Sequence, residues 1–264
     1  MTEPALREPG ATEPVRVLFD AKAATWAAKY APGGALTGRR ARLAAAVSAL
    51  AGPGGRVLDL GCGSGDLARH LAEAGLRVTG CDISARMLEQ AERADPAGTW
   101  VTLDPAWREL PFAAGAFSAV IASSVLEYVA DPVAVLRECA RVLAPGGTVL
   151  CTVPDTRHPV RWLEWLAARC ATPLGPALGS RPGLALTARA GSSGRAGRLR
   201  GYVDYLQLSR QRHGARWWAA AAGRAGLLPA VVPGATGARG PLLLCGFRKP
   251  THGSGIAAAP GRRV

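Results

Sequence analysis

Short apolar runs alternate with helix-like stretches through the middle of the chain. From Arg56 onward, runs rich in Val, Leu and Ile are followed by segments whose apolar residues recur at helical spacing. Glycines and a proline separate many of them, as at Gly75, Gly80 and 144–147. The pattern predicts strands at 56–60, 77–81, 99–103, 117–122 and 147–153, and helices at 65–74, 84–94 and 131–143. Such alternation is typical of an α/β fold, in which helices cover both faces of a mostly parallel sheet.

The flanking regions lack this alternation. Residues 15–50 are rich in alanine and carry apolar positions at helical spacing on both sides of a break at 32–34. After Pro154, the pattern predicts helices at 159–170 and 202–225 on either side of a basic loop at 191–201, then closing strands at 227–232 and 241–247. We therefore divide the chain into a disordered tail (1–14), an N-terminal helical cap (15–50), a core (51–154), a helical cover (155–225), the closing strands of the core (226–250) and a second disordered tail (251–264).

Composition changes this picture little. The 264 residues suffice for one substantial core. The net charge of +13 suggests a nucleic acid or a membrane surface as a partner, but nearly all the basic residues are arginine in a chain rich in alanine and glycine. GC-rich coding explains that bias equally well. Six cysteines without a C-x-x-C pair predict reduced core thiols, a cytoplasmic protein and no bound metal. We expect neither a secretion signal nor a membrane span.

Gly61, Gly63 and Gly65 follow the first predicted strand in the stretch VLDLGCGSGDLARHL. Glycine at these positions lets the backbone turn sharply from a buried strand into a helix and lets a ligand approach closely. The dinucleotide fingerprint would place its third glycine where Asp66 stands, and a phosphate loop would continue with Gly-Lys-Ser/Thr. Asp59 and Asp66 flank the turn; they would repel a pyrophosphate and attract an ammonium or sulfonium group. The turn therefore predicts a ligand that is cationic at this end.

A further acidic residue is predicted to bind the same ligand. Asp82, in VTGCDIS, lies 21 residues after Gly61, where a carboxylate accepts hydrogen bonds from both hydroxyls of a ribose. The neighbouring Ile83 is placed to pack against an adenine face. A ribose, an adenine, an ammonium group and a small carboxylate held by the helix N-terminus together describe S-adenosylmethionine.

Residues 55–154 resemble the core of the class I S-adenosylmethionine-dependent methyltransferases, of the small-molecule type that includes quinone methyltransferases. VLDLGCGSG is similar to the family's first motif, CDIS to its ribose-binding acid, LPFAAGAFSAVIASSVLEYVADP to the region of its fourth strand, and LRECARVLAPGGTVL to the approach to its fifth. The resemblance implies a Rossmann-like sheet of seven strands with an antiparallel last strand, and a helical substrate cover after the fifth strand. It also implies methyl transfer to a small-molecule substrate.

The resemblance extends to a set of cofactor contacts. FDAKAATWAAKYAPGG is similar to the N-terminal helix that closes over the cofactor, which makes Trp26 and Tyr30 candidate contacts. Ala106 stands where the family has an aspartate near the adenine amino group, and Trp107 beside it is a candidate for stacking. The predicted cofactor-binding residues are Tyr30, Asp59, Gly61, Cys62, Gly63, Gly65, Asp82, Ile83, Met87, Ala106, Trp107 and Ser123.

Four residues are candidates for a catalytic base that deprotonates the methyl acceptor. Such a base is expected on segments at the carboxyl ends of the strands. Glu127 and Tyr128 follow the fourth strand, His158 follows the fifth, and His213 lies in the cover. His158 is our first choice, and each of the four has a structural alternative as a loop or capping residue. Aromatic residues of the cover, such as Trp218, suit either a flat acceptor or a hydrophobic core.

We expect methylation of a hydroxyl group, the commonest use of the family, with nitrogen or carbon as the alternative acceptor. The positive charge suggests an RNA or tRNA methyltransferase as a rival. Against it, SSVLEY replaces the Asn/Asp-Pro-Pro-aromatic motif of base-nitrogen methylation, and no Pro-Cys pair occurs. Action on a membrane quinone is a further alternative, for which Trp162, Trp165 and the arginines of the cover would supply the membrane-contacting surface. The final alternative is a protein that binds the cofactor but has no catalytic activity.

Overall fold

The computed structural model of the protein describes residues 12–34, 36–161, 206, 208–234 and 241–251. The strands are β1 (Arg56–Leu60), β2 (Arg77–Asp82), β3 (Thr99–Thr102), β4 (Phe117–Ser123), β5 (Leu143–Pro154), β6 (Leu228–Ala230) and β7 (Leu242–Arg248). The helices in the described ranges are α1 (Glu13–Trp26), α2 (Thr37–Ala51), α3 (Asp66–Glu73), α4 (Ala85–Ala94), α5 (Pro132–Val142) and α6 (Ala215–Arg224), and a 3₁₀ turn follows α1 at Ala27–Tyr30.

These strands form one sheet in the order β3-β2-β1-β4-β5-β7-β6. Strands β1 to β5 pair in parallel, and β7 runs antiparallel to both β5 and β6. The chain moves outward from β1 to β3 and then returns to β4 on the other side of β1, so the strand order reverses there. In open α/β sheets, ligands bind at the carboxyl ends of the strands beside such a reversal. The predicted Rossmann-like sheet with an antiparallel last strand is confirmed.

Both faces of the sheet are covered, which is why its central strands read as continuous apolar runs. On one face, Leu136, Cys139 and Trp218 of α5 and α6 belong to the larger hydrophobic core. On the other face, Val47 and Leu71 of α2 and α3 pack with the opposite side chains of the strands in a second core. The candidate site lies between these layers, at the carboxyl edge of the sheet.

Side-chain caps fix the starts of two helices. The hydroxyl of Ser84 accepts a hydrogen bond from the Met87 amide at the start of α4. Asp131 accepts hydrogen bonds from the amides of Val133 and Ala134 at the start of α5. A cap of this kind stabilises the helix by about 1 kcal/mol. Because Ser84 is only two residues after Asp82, the cap on α4 fixes the start of this helix next to Asp82.

Strand β5 is longer than predicted, because it begins at Leu143 and continues through 144–147, whereas the pattern predicted a start at residue 147. Leu143 pairs with Phe117 of β4. The amide of Gly146 donates to the Lys249 carbonyl at 3.0 Å, and the Lys249 amide donates to the Gly147 carbonyl at 2.8 Å. The two glycines therefore remain in the ladder, with an irregular register between β4 and β5.

The prediction of one helix over 202–225 is wrong for its described part. Residues 209–214 are not helical, and the amides of Arg210 and Gln211 donate to the Glu127 carbonyl at 2.9 and 3.1 Å. Helix α6 begins at Ala215, and its Trp218 is completely buried in the larger core. Residues 215–225 therefore form part of the sheet-covering layer and not of a substrate cover.

The other predicted boundaries also shift. Helix α2 of the predicted cap packs on one face of the sheet, so below we use the name cap for α1 and the 3₁₀ turn that follows it. Helix α1 starts at Glu13, inside the predicted tail, and the Thr12 hydroxyl donates to the Pro105 carbonyl. Residues 1–11, 252–264 and most of the predicted cover, 162–205, lie outside the described residues. Among the helices that are described, none has the length and apolar character to cross a bilayer.

Candidate functional site

The glycine turn after β1 takes a conformation that only glycine adopts easily. Gly61, Gly63 and Gly65 have φ angles of 71°, 56° and 73°. A Cβ atom on Gly61 would lie 2.4 Å from a methyl of Val125, and one on Gly65 would lie 2.5 Å from the Trp100 ring. Both the left-handed backbone and the close packing therefore require glycine at these positions.

Asp82, at the end of β2, holds the turn through hydrogen bonds. Its Oδ2 accepts from the Gly63 amide and its Oδ1 from the Ser84 amide, each at 2.9 Å. The side chain is buried, and burial raises the pKa of the carboxyl while these amides oppose the rise. Each oxygen has accepted one backbone donor and keeps further acceptor capacity.

Asp59, at the end of β1, is a buried carboxylate in need of a partner. It is 2% exposed, and among the described residues no group donates a hydrogen bond to its Oδ2. Burial, with a smaller effect from the nearby Asp82, raises the pKa of Asp59 to about 7. A buried charge without a partner is costly, so this position favours a cationic ligand.

Asp66 contributes less negative charge than the sequence suggested. Its Oδ2 accepts a hydrogen bond of 2.6 Å from the Ser64 hydroxyl, and Arg69 forms an ion pair with Oδ1 at 3.3 Å. The carboxylate is therefore balanced within α3, where it also complements the positive end of the helix dipole. The acidic character of the site depends on Asp59 and Asp82.

Arg39 of α2 forms a polar cluster that the sequence did not predict. Its Nη2 donates to the hydroxyls of Ser123, Ser124 and Thr152 at 2.6, 2.8 and 2.5 Å, at the carboxyl ends of β4 and β5. Ser124 has a φ of 57°, which is uncommon for a residue with a side chain. Strained residues of this kind concentrate at functional sites. The cluster places a cation beside the predicted contact Ser123.

The cap lies against the glycine turn through Trp26, the last residue of α1. Trp26 Nε1 lies 3.1 Å from the position of a Cβ on Gly63, and the Met87 sulfur lies 3.9 Å from it. The Lys29 amine lies 3.7 Å from the centre of the Trp26 ring, and burial lowers the pKa of Lys29 to about 8. Burial raises the pKa of Tyr30 to about 12. The charges of Arg39, Asp59 and Asp66 have smaller effects on the pKa of Tyr30.

A hydrogen bond joins the cap to the sheet near Asp82. The Ser84 hydroxyl donates to Asp20 Oδ1 of α1 at 2.6 Å, and Arg16 pairs with the other oxygen of Asp20 at the same distance. Ile83, which lies between Asp82 and Ser84, packs partly against the larger core and partly against the side chains of α1. The cap is thus attached beside the predicted ribose-binding residue.

Three other predicted cofactor contacts have mixed surroundings. Cys62 lies within the turn, between Gly61 and Gly63, and burial raises the pKa of its thiol well above the usual value. Trp107 packs in part against the larger core. Ala106 is exposed, and its amide donates to Asp104 Oδ1 at 2.7 Å. Asp104 therefore closes its own loop in this structure.

The candidate bases that follow β4 have structural contacts. Glu127 is completely buried, and its Oε2 accepts a 3.0 Å hydrogen bond from the Ser209 hydroxyl. Burial raises the pKa of Glu127. The ring of Tyr128 packs edge-on against Phe19 of α1, with centroids 5.4 Å apart. Both residues join the post-β4 segment to neighbouring parts of the chain.

The two candidate histidines are held by their own segments. His158 Nδ1 accepts a 3.3 Å hydrogen bond from the Val160 amide, in the turn after β5. The ring of His213 stacks on Trp217 with centroids 3.6 Å apart, and its Nε2 lies 3.0 Å from Gln211 Oε1. Burial lowers the pKa of His213. Within the part of the chain that the structure describes, no group of acidic, cysteine or histidine side chains could hold a metal ion.

The matched family and relatives agree with this architecture. Residues 58–151 match a family model described as "Methyltransferase domain". The ubiquinone biosynthesis O-methyltransferase of Xanthomonas campestris pv. campestris (strain B100) is 39% identical over 101 residues, which are 37% of this chain and 42% of that protein. The demethylmenaquinone methyltransferase of Beutenbergia cavernae is 42% identical over 98 residues, 37% of this chain and 40% of that protein. The chain thus matches about two fifths of the length of these curated relatives.

A solved structure resembles the chain over most of its length. The magnesium protoporphyrin IX methyltransferase of Synechocystis PCC 6803, solved with bound SAH, has a TM-score of 0.58 and 20% sequence identity. The likeness covers 89% of this chain and 98% of that one. At this identity the likeness establishes the fold. The matched segment, residues 58–151, contains most of the parallel strands of this Rossmann-like sheet.

Proposed function

We propose that the protein transfers a methyl group from S-adenosylmethionine to a hydroxyl of a small organic acceptor. The observation that carries the proposal is the buried carboxylate of Asp59, whose Oδ2 has no partner among the described residues and which lies beside the glycine turn. The match of residues 58–151 supports the reaction type. The name of the Xanthomonas relative, an O-methyltransferase of ubiquinone biosynthesis, supports a hydroxyl acceptor.

The residues present fit this cofactor at three points. Asp82 retains acceptor capacity on both oxygens, enough for two ribose hydroxyls. Asp59 would accept hydrogen bonds from the amino group of the methionine moiety. Arg39, which already donates to Ser123, would hold the carboxylate of that moiety, since a guanidinium binds carboxylates strongly. This role replaces the helix N-terminus proposed from sequence.

The remaining contacts belong to the same proposal. The backbone of the glycine turn would lie against the methionine moiety, and the cap would cover it through Tyr30. The other side chains proposed to line the cofactor are Cys62, Ile83, Met87, Ala106, Trp107 and Ser123. The chain segment from 155 to 214 would cover the acceptor. We also propose a cytoplasmic location, which the free thiols of the described cysteines support.

S-adenosylmethionine would supply a methyl group that its sulfonium makes electrophilic. The protein's own task is then to orient the acceptor, exclude water and accept a proton. Orientation alone can supply about 7–11 kcal/mol of barrier lowering. Trp26 and Tyr30 would help to exclude water, since Trp26 lies against Gly63 of the turn and Tyr30 is four residues further along the cap.

His158 is our proposed base, and its geometry limits its contribution. Because Nδ1 accepts the Val160 amide, the neutral ring carries its proton on Nε2. The ring can therefore take a proton from the acceptor only after the bond to Val160 breaks. We expect His158→Gln to lower kcat about 10–100-fold without lowering the free energy of unfolding. A reduced kcat that is accompanied by a lower free energy of unfolding would assign His158 a structural role.

The experiment that tests the proposal combines binding with transfer. Calorimetric titration of S-adenosylmethionine should show stoichiometric binding, and Asp59→Asn should weaken it. Incubation with a labelled methyl donor and pools of phenolic, amine and enol metabolites should then label a hydroxyl. Label in tRNA, or on nitrogen or carbon, would overturn the choice of acceptor. Binding of S-adenosylmethionine without methyl transfer to any pool would favour a cofactor-binding protein that has no catalytic activity. Failure of S-adenosylmethionine to bind would overturn the proposal.

A further inference from the structure

Two cysteines face each other across strands β5 and β7. The antiparallel register pairs Cys151 directly with Cys245, and both are free thiols. Directly opposed residues of an antiparallel pair have Cα atoms about 4.5–5.5 Å apart. A disulfide spans Cα separations of about 4.4–6.8 Å. The backbone spacing of this pair therefore lies within the range that a disulfide requires.

The two thiols already interact. The proximity of the two thiols, together with burial, raises the pKa of Cys151 well above its usual value, and the neighbouring Cys151 lowers the pKa of Cys245. Both side chains belong to the sheet face that packs against α5 and α6, where Cys139 lies close to Cys151. Their orientation is therefore suited to bonding with each other.

Only one member of the pair is accessible from solvent. Cys151 is completely buried, whereas Cys245 is partly exposed. Cys245 lines an open groove together with Ala215, Ala230 and Phe247, near the β6 edge of the sheet. A small oxidant from solvent would reach Cys245 first, and Cys245 is also the thiol with the greater tendency to ionise. Thiolate character and access together determine which cysteine is oxidised.

We propose that Cys151 and Cys245 form a reversible thiol–disulfide site whose oxidant is a hydroperoxide. The Cys245 thiolate attacks one peroxide oxygen, the O–O bond breaks, and Cys245 becomes a sulfenic acid. The Cys151 sulfur then attacks the Cys245 sulfur, the S–O bond breaks, and the leaving hydroxide takes the Cys151 proton. With hydrogen peroxide, the two thiols lose two electrons in total and the peroxide oxygens leave as water.

The disulfide adjoins the candidate methyl-transfer site. Thr152, the next residue of β5, accepts hydrogen bonds from Arg39 at 2.5 Å and from the Ser124 amide at 3.0 Å. A disulfide draws the Cβ atoms to about 3.8 Å, closer than the roughly 4.5–5.5 Å of an unlinked pair. Bond formation therefore shifts β5 next to Thr152. On the assumption of the proposed function, the oxidised protein binds S-adenosylmethionine several-fold more weakly.

The first test is chemical and is independent of methyl transfer. The purified full chain is treated with hydrogen peroxide, its remaining thiols are alkylated, and its peptides are mapped by mass spectrometry. We expect a link between Cys151 and Cys245 that dithiothreitol reverses. The link should be absent in Cys245→Ser and should still form in Cys139→Ala and Cys62→Ala. Far-UV circular dichroism verifies that each variant folds. Oxidation of other cysteines while this pair stays reduced would overturn the site.

The second test measures cofactor affinity before and after oxidation. The oxidised wild type should bind more weakly than the reduced form, and peroxide-treated Cys245→Ser should match its untreated form. A mapped disulfide with unchanged affinity would overturn the connection to Thr152. Absence of cofactor binding in both redox states would instead contradict the proposed function, and the peptide map would still decide whether the disulfide site exists.

Discussion

The two halves of the candidate site are stabilised by different means. Beside β1 and β2, most of the stabilising hydrogen bonds involve backbone groups. The amides of Gly61 and Cys62 both donate to the Cys81 carbonyl, and the Gly63 amide donates to the Asp82 side chain. Beside β4 and β5, one side chain from a separate helix, Arg39, joins three hydroxyl groups. The first half depends on residues close together in the chain, and the second on how distant segments pack.

Gly65→Ala should have the largest effect, because it disturbs the backbone-built half. An alanine there meets the Trp100 ring at 2.5 Å and Ala91 at 2.9 Å, at a φ of 73°. A left-handed alanine costs about 1–2 kcal/mol, and overpacking adds about 1–3 kcal/mol. We expect urea denaturation to show the sum as a loss of unfolding free energy.

Gly75→Ala is the matched control at the other end of α3. Its φ is 85°, and a Cβ there meets no atom within 4 Å. It should cost only the left-handed contribution of about 1–2 kcal/mol. Equal losses in the two variants would show that the close packing around Gly65 is unimportant.

Asp82→Ala should weaken cofactor binding about 10–100-fold, because two hydrogen bonds to a charged acceptor disappear. Calorimetric titration measures the change. Asp131→Ala is the matched control, since Asp131 also accepts two backbone amides, at 2.9 and 3.1 Å, but at the start of α5. An affinity loss of the same size in both variants would point to general destabilisation.

Arg39→Gln should weaken cofactor binding about tenfold, the size expected for one charged hydrogen bond. It should also lower the unfolding free energy by about 1–2 kcal/mol, because the buried Thr152 and the partly buried Ser123 and Ser124 lose their donor. Arg42→Gln removes an exposed arginine from the same helix and should change neither quantity. Unchanged affinity in Arg39→Gln would remove this half from the cofactor site.

The pH dependence of binding should be the smallest effect near neutrality. Asp59 has a pKa of about 7 in the free chain, and a bound ammonium group favours its ionised form. Affinity should therefore rise with pH up to about 7, by at most tenfold per unit, and then level off. Titrations across this interval measure the slope, and Asp59→Asn should abolish it.

The stability of the ligand-free chain should change in the opposite direction. The raised pKa of Asp59 means that the native state holds a proton which the unfolded state, with its ordinary pKa of about 4, has already released. The unfolding free energy should therefore fall as the pH rises from about 4 to 7. Asp59→Asn should flatten this part of the curve, and an identical curve for the variant would contradict the assignment.

The same difference explains how much the sequence predicted. The turn at Gly61, Gly63 and Gly65 and the strand-end acid Asp82 stand out locally, because left-handed positions and strand ends leave a mark on neighbouring residues. The sheet followed from the alternation of apolar runs, and its antiparallel last strand from the family resemblance. The ion pair of Asp66 with Arg69 follows the i,i+3 spacing of a helix, so this contact also is local in the sequence.

The Arg39 cluster left no comparable mark. Arg39 is one of several arginines on a helix, and it lies 84 positions before Ser123 and 113 before Thr152. Only the packing of α2 on the sheet brings these side chains together. For Trp218, helical spacing left open whether the side chain faces an acceptor or a hydrophobic core, and only the packing of α6 on the sheet shows that it belongs to the core. Contacts between residues that are far apart in the sequence become visible only in the three-dimensional structure.

The hydrogen bonds that Asp82 makes to the amides of Gly63 and Ser84 have a consequence for recognition. These hydrogen bonds order the glycine turn and the start of α4 during folding, before a ligand binds. Ligand binding therefore costs little conformational entropy in this region. A binding site that is preorganised in this way can bind tightly through a small number of contacts.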